Sequence, residues 1–375
     1  MKKIPVDSLK AGMKFTKAVF LDDENILVPP GIHIKQKDLD RLKKWGIENV
    51  LTEGSILKDS SLSDSEKLPF GKLLNTDEDS SFLNAYIRAT EDLAAVFKSV
   101  SDGAKISSKD VDKITHNFYP FLLENSYEMI SFTIRNEKTS YKSAQSAINC
   151  MILSTVIGIN MKMPNHRLMQ LATGAMLHDI GMMKIPDSIL DKQAELSDQE
   201  MQALQTHPLY SYTIITKELR YPEEIGLISL QHHERWDGKG YPRKLKGKGI
   251  SLPARIVSVA DAFEAMIQDR PYRNSMIGYT AMRQILNDNS RRFDPEVLKI
   301  FIKSMGIYPI GSIVVLNNGS IGRVIKIHSS APLRPGLLLL INENGVKMRE
   351  EKHIDLLKEK DFFIAKAIHP KEIDN

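Results

Sequence analysis

The chain has 375 residues, a formal net charge of +4 at pH 7 and 42% apolar residues, enough for two or three domains with real cores. Its one cysteine, Cys150, excludes an internal disulfide and points to a reducing, cytoplasmic setting. No run of about 18 apolar residues could span a bilayer, no apolar segment follows the N-terminal lysines as a secretory signal requires, and a charge of +4 is too small for a duplex nucleic-acid binder, though it leaves room for a local anion site.

In chain order, residues 1–53 read as a small α+β domain. "KFTKAVF" (14–20) and "NILVPPG" (25–31) read as strands around the turn "LDDE". "QKDLDRLKKWG" (36–46) reads as a helix with Leu39 and Leu42 on one face and Gly46 as its stop, followed by the short strand "IENVL". Residues 54–81, rich in Ser, Asp and Glu, read as a linker. From 82 to 308 the pattern is helical almost throughout. "SDQE" (197–200) is a capping box expected to open a helix ending at His207-Pro208. Pro222 suits the first position of a helix running to about Glu234, and Pro253 does the same for "PARIVSVADAFEAMIQ". Residues 309–375 alternate like strands, with Asn-Gly turn pairs at 318–319 and 344–345, and read as a small β-rich extension and tail. The expected fold is therefore mainly α: a helical bundle with a small α+β N-terminal domain and a small β C-terminal extension.

The chemistry-bearing residues concentrate in the helical part. Four of the ten histidines, His178, His207, His232 and His233, fall in 178–233, accompanied by Asp179 and Asp261. Neutral imidazole and carboxylate suit borderline metals such as Fe, Mn, Zn or Ni, and a carboxylate has two oxygens with which to bridge two ions. Adjacent helical residues point about 100° apart, so His178 and Asp179, like His232 and His233, can reach an ion between packed helices from different sides. A single buried histidine is more often a hydrogen-bonded core residue than a ligand; the company these residues keep decides otherwise.

"LHDIG", "HP", "HHERWDGKGYP" (232–242), "RIVSVADAFEAM" and "DRPYR" occur in this order and at ordinary spacing, and from about 130 to 302 the chain resembles an HD-GYP domain of the HD phosphohydrolase superfamily. That resemblance implies an all-helical, HD-type domain that hydrolyses cyclic di-GMP to pGpG or GMP at a centre of two divalent ions, Fe or Mn first and Zn or Ni as alternatives. It carries His178, Asp179, His207, His232, His233 and Asp261 over as metal ligands, with Asp179 as the bridging carboxylate and catalytic centre. Gly240, Tyr241 and Pro242 become the loop lining the substrate pocket, and Arg270 and Arg273 the cations facing the phosphates. The resemblance also implies that this loop can meet diguanylate-cyclase-type or other signalling partners.

The chain departs from the family pattern at four places. Gln145, in "QSAINC", stands where the family has a ligand histidine, so one metal site keeps His178, Asp179 and Asp261 with a weaker amide donor. Tyr141 stands where some members place a glutamate for a third metal. Met182 replaces the lysine of "HDIGK"; Lys184, two residues on, is the candidate substitute as a substrate contact. Glu264 stands for an aspartate. Lys239, Arg243, Lys244, Lys246 and Lys248 crowd the GYP loop and read equally as a solvated loop or as attraction for a dianionic substrate. Cys150 and the methionines of "MLHDIGMM" read as core. Two functions follow: a phosphodiesterase, slowed by Gln145 and Met182, or a degenerate relative that binds cyclic dinucleotide or a partner without turnover.

Overall fold

The structure, a computed structural model, describes most of residues 2–54, then 80–124, 129–130, 133, 141–268 apart from 193, 278–288, and 291–369 apart from 349. The chain divides into two compact units. One is Asp77–Ser312 with Ile327–Leu333; the other joins Met1–Thr76, Ile313–Lys326 and Arg334–Asn375.

The larger unit is a bundle of helices. In chain order these are α1 (Ser80–Ser101), α2 (Ser108–Glu124), α3 (Lys142–Asn160), α4 (Asn165–Leu177), α5 (Asp187–Leu190), α6 (Asp198–Leu204), α7 (His207–Thr213), α8 (Glu223–Gln231), α9 (Leu252–Ile267), α10 (Gly278–Asn287) and α11 (Pro295–Met305). Nearly every residue of α3 from Ala144 to Gly158 is buried. A helix apolar on all faces belongs inside a core, and α3 accordingly packs against α1, α4, α9 and α11. Among the described residues, no helix is long and apolar enough to cross a membrane.

Local chemistry sets where the helices end. Ser197 and Glu200 form the expected capping box: Glu200 N–H donates to Ser197 Oγ at 3.3 Å and Ser197 N–H donates to Glu200 Oε2 at 2.7 Å. The helix it opens stops at Leu204, short of the expected His207-Pro208, and α7 starts afresh at His207 with Pro208 in its first turn. Pro222 is the N-cap of α8 rather than its first residue, and α8 stops at Gln231, short of Glu234. At the second stop the His232 side chain takes up the Ser229 carbonyl, which continued helix would have used; at the first, Pro208 has no N–H for the Leu204 carbonyl, and the His207 side chain takes it up instead.

In the other unit, β1 (Lys2–Pro5), β2 (Val19–Phe20), β3 (Ile26–Val28) and β4 (Asn49–Thr52) form an antiparallel sheet in the order β1-β4-β2-β3. The expected strand over 14–20 shrinks to β2, and β1 escaped notice because four residues with two lysines carry no alternation. Phe15, Val19, Ile34, Leu42 and Val50 form its core. Most of the expected helix over 36–46 and nearly all of the expected linker lie outside the described residues. The second sheet runs β8-β7-β6-β5-β9, all antiparallel, from β5 (Ile313–Leu316), β6 (Ile321–Lys326), β7 (Gly336–Ile341), β8 (His353–Asp355) and β9 (Ile364–Ile368). β5 and β6 are joined across the expected Asn318-Gly319 turn, and the Asn344-Gly345 pair turns the chain just after β7.

Candidate metal centre

Three histidines in the bundle repeat one local device. His178 follows α4, His207 opens α7 and His232 follows α8. In each, the ring Nδ1 lies within hydrogen-bond distance of the carbonyl three residues back: Ala175 at 2.7 Å, Leu204 at 2.8 Å and Ser229 at 2.6 Å. A carbonyl only accepts, so Nδ1 carries the proton and donates, and the lone pair of the neutral ring is left on Nε2. Helix ends supply such carbonyls because their last C=O groups have no intrahelical partner.

All three Nε2 atoms converge on Asp179. Asp179 Oδ1 lies 3.2 Å from His207 Nε2 and 3.4 Å from His232 Nε2, while Oδ2 lies 3.3 Å from His178 Nε2. Asp261 Oδ1, from α9, stands 3.7 Å from the same His178 nitrogen. The three Nε2 atoms and Asp179 Oδ1 are buried and have no hydrogen-bond partner among the described residues. Lone pairs facing lone pairs at such distances are costly unless a cation sits among them. One proton could relieve one of these pairs but not all of them. The donor set therefore fits divalent metal, with the Nδ1-to-carbonyl bonds as the outer support that orients each imidazole.

The potential ligands fall into two groups that share Asp179. One is Asp179, His207, His232 and His233; the other is His178, Asp179 and Asp261; within each, the ligand atoms lie within 4.8 Å of one another. Each Asp179 oxygen faces a different group, Oδ1 toward His207 and His232 and Oδ2 toward His178. Burial pushes the His233 imidazole well below its ordinary pKa and lowers His232 too, which favours the neutral ligand form.

A pocket of about 370 Å³ opens onto this cluster, lined by Asp179, Met182, His207, His233, Tyr241, Asp261 and Arg292 among others. Its wall is built by the 232–242 segment. The Tyr241 ring stacks on His233 with centroids 4.8 Å apart and planes 29° apart. Gly240 is needed there because a Cβ would come within 2.3 Å of Arg235 N and 2.5 Å of His233 O. Gly181 has the same role beside Asp179, where a Cβ would meet His207 O at 2.2 Å; its N–H instead donates to Ser211 Oγ at 2.8 Å.

Buried Glu234 holds this loop. Its two carboxylate oxygens accept the N–H groups of Arg243 at 2.7 Å and Leu245 at 2.9 Å. Trp236 N–H donates to Arg292 O and Asp237 N–H to Arg291 O, stitching the loop to the segment before α11. Pro242 follows a cis peptide bond. Lys239, Arg243, Lys244, Lys246 and Lys248 are all exposed, and none lines the pocket.

The remaining candidates are placed as follows. Gln145 is buried on the first turn of α3, and Met182 lines the pocket. Lys184, the candidate replacement for the missing lysine, points elsewhere: its Nζ donates to the Val100 carbonyl at 2.9 Å, at the end of α1. The short 3-10 turn over Ile180–Lys184 sends residues 182 and 184 to different neighbours. Arg270 and Arg273 lie outside the described residues. Cys150 is buried in α3, and burial pushes its thiol pKa up. Glu264 is buried in α9 and accepts hydrogen bonds from Ser146 Oγ and from Asn149 Nδ2 of α3; Asn149 Oδ1 in turn accepts from Tyr86 Oη of α1 at 2.8 Å.

Sequence reasoning passed over Glu234 and Arg292. Glu234 follows directly on the two histidines, and that adjacency was its signal. Arg292 gave none, because its place depends on how a turn between helices folds back on the loop.

Comparison with known proteins bears on the same residues. Residues 129–297 match the family described as HD domain, and residues 313–375 match a KOW domain associated with HD domain. A cyclic di-GMP phosphodiesterase of Pseudomonas aeruginosa is 26% identical over 371 residues, covering 95% of this chain and 89% of that protein. A cyclic di-GMP phosphodiesterase of Borreliella burgdorferi is 26% identical over 356 residues, covering 94% and 92%. A phosphodiesterase of Vibrio cholerae described as specific for 3'3'-cGAMP is 33% identical over 178 residues, covering 46% and 39%. Among solved structures, an HDG"Y"P protein from Bdellovibrio bacteriovorus aligns with a TM-score of 0.49 at 16% identity, covering 80% of this chain and 97% of that one.

Proposed function

We propose, from the premise that this chain belongs to the HD-GYP family, that it is a phosphodiesterase opening cyclic di-GMP to pGpG or GMP at a two-metal centre. The observation that carries this reading is the set of buried acceptor atoms around Asp179 with no donor among them. Divalent ions bound there, Fe or Mn by preference, supply Lewis acidity at the phosphoryl oxygens and bring the pKa of water near neutral. His207, His232 and His233 with Asp179 hold one ion; His178, Asp179 and Asp261, with the weaker amide of Gln145, hold the other.

The chain's own residues do the rest. Asp179 fixes the spacing of the two sites through its two oxygens. The loop of Gly240, Tyr241 and Pro242, anchored by Glu234, walls one side of the pocket and limits water beside the reacting phosphodiester. Cyclic di-GMP is favoured as substrate because both relatives that match nearly the whole chain are named for it. The chemistry belongs to the helical domain, 82–308, with 1–53 and 309–375 as accessory domains. The exposed lysines beside the GYP loop offer a surface to a diguanylate-cyclase-type partner.

A second reading rests on Met182, which gives the pocket a thioether where the family has a cation: the protein binds cyclic dinucleotide without turning it over. The two part in one assay. The protein loaded with Mn or Fe under reducing conditions is expected to convert cyclic di-GMP to linear product, in preference to 3'3'-cGAMP. Tight binding with no linear product supports the second reading and sinks the first.

A further inference from the structure

We propose that Arg292 binds the phosphodiester of the substrate and supplies the positive charge that Met182 withdraws from the pocket; this rests on the phosphodiesterase reading above. Among the described residues lining the pocket, Arg292 is the only lysine or arginine. The other fixed charges there, Asp179 and Asp261, belong to the proposed metal ligands, which leaves Arg292 as the lining side chain that can face the substrate's phosphodiester.

Arg292 is held for that role and kept free of competitors. Its backbone is pinned on both sides: its N–H donates to Asp288 O at 3.0 Å and its carbonyl accepts from Trp236 N–H at 3.0 Å. It therefore belongs to the same stitched assembly as the loop that carries Tyr241. Its guanidinium lies 5.1 Å from the centre of the Phe293 ring, and no carboxylate pairs with it among the described residues. The neighbouring arginines are committed: Arg235 pairs with Asp237 at 2.9 Å and Arg255 with Asp294 at 2.5 Å. Lys184 is committed to the Val100 carbonyl. A guanidinium fork matches two phosphate oxygens at once, and charge fixed beside a phosphoryl group is worth most as its oxygens gain charge in the transition state.

The test uses the Mn-loaded full chain with the variants Arg292→Met, Arg292→Lys, Met182→Lys and the double change Arg292→Met/Met182→Lys. Rates are read on cyclic di-GMP and on bis(p-nitrophenyl) phosphate, which has the phosphodiester but no guanine, with metal content measured in parallel. Arg292→Met should lower kcat/KM by about 10–100-fold on both substrates at unchanged metal content. Arg292→Lys should keep most of the rate, and Met182→Lys should restore more rate in the Arg292→Met background than it adds to wild type. Arg292→Met equal to wild type, a loss confined to cyclic di-GMP, or a loss that tracks lost metal each overturns the inference. A wild-type protein inert on cyclic di-GMP alone overturns the phosphodiesterase reading instead. The Arg292 comparison then stands on bis(p-nitrophenyl) phosphate, where equal rates for wild type and Arg292→Met overturn it.

Discussion

His232 shows how a single residue is committed to a site. Its Nδ1 is spent on the Ser229 carbonyl, its Nε2 faces Asp179, and among the described residues no donor reaches either Nε2 or Asp179 Oδ1. His232→Ala should therefore remove metal as counted by elemental analysis. Its activity should fall by more than the about 10–100-fold that loss of an outer support costs a metal site. Gln145→His should raise metal content or turnover, since imidazole is the better donor; a variant indistinguishable from wild type in both would show that the site sharing His178 and Asp261 is not limiting. The residues that gather around Asp179 were legible in the sequence because "HDIG" and "HHERWDGKGYP" are dense local patterns. Lys184 was misjudged as a substrate contact because a 3-10 turn, not helix or strand, sets where residue 184 points. Arg292 was not legible at all, because the contact that brings it to the pocket joins segments far apart in sequence.

At the scale of the element, the loop from Glu234 to Leu245 depends on a few buried bonds rather than on regular structure. Glu234→Ala leaves two N–H groups without their acceptor, at about 1–3 kcal/mol each. Proteolysis or hydrogen exchange should detect a loosened 234–245 segment before the helices melt. Asp237 adds a pH dependence. Its bond to the Arg235 guanidinium, helped by the Lys239 N–H, holds its pKa at about 2, below its unfolded value of about 3.9. A folded pKa below the unfolded one gives stability that is complete above about pH 4 and is lost as pH falls toward 2. The fluorescence of adjacent Trp236 should report a loop transition in that window, and Asp237→Asn should abolish it; an unchanged transition in that variant would assign it elsewhere. Helix positions were read well from caps, as Ser197 and Glu200 show. Helix ends were overrun at His207 and Glu234 because the histidine-to-carbonyl bonds found where α6 and α8 end are side-chain events that periodicity does not register.

Across the whole helical unit, the centre is tied to the core by the chain Tyr86–Asn149–Glu264–Ser146, which joins α1, α3 and α9. This explains Glu264 where the family has an aspartate: on α9, the helix that carries Asp261, its carboxylate reaches both Ser146 and Asn149 of α3. Glu264→Ala should cost about 1–3 kcal/mol by strict loss of partners, seen as a lower urea midpoint, while Glu264→Gln should cost less. The mainly helical class was legible from long periodic segments and strong caps, whereas the sheet order β1-β4-β2-β3 was not, since β1 and β2 are too short for alternation to show. Metal and fold are linked in the same way, because ions that bind the folded protein alone stabilise it by mass action. A chelator should lower Tm, and His232→Ala should remove that sensitivity. The most direct measurement of the central claim is the number of divalent ions bound per chain after anaerobic reconstitution of wild type and Asp179→Ala with Mn or Fe. A carboxylate shared between two sites predicts about two ions in wild type and loss at both sites in Asp179→Ala; no bound metal in wild type, or both ions retained in Asp179→Ala, would contradict it.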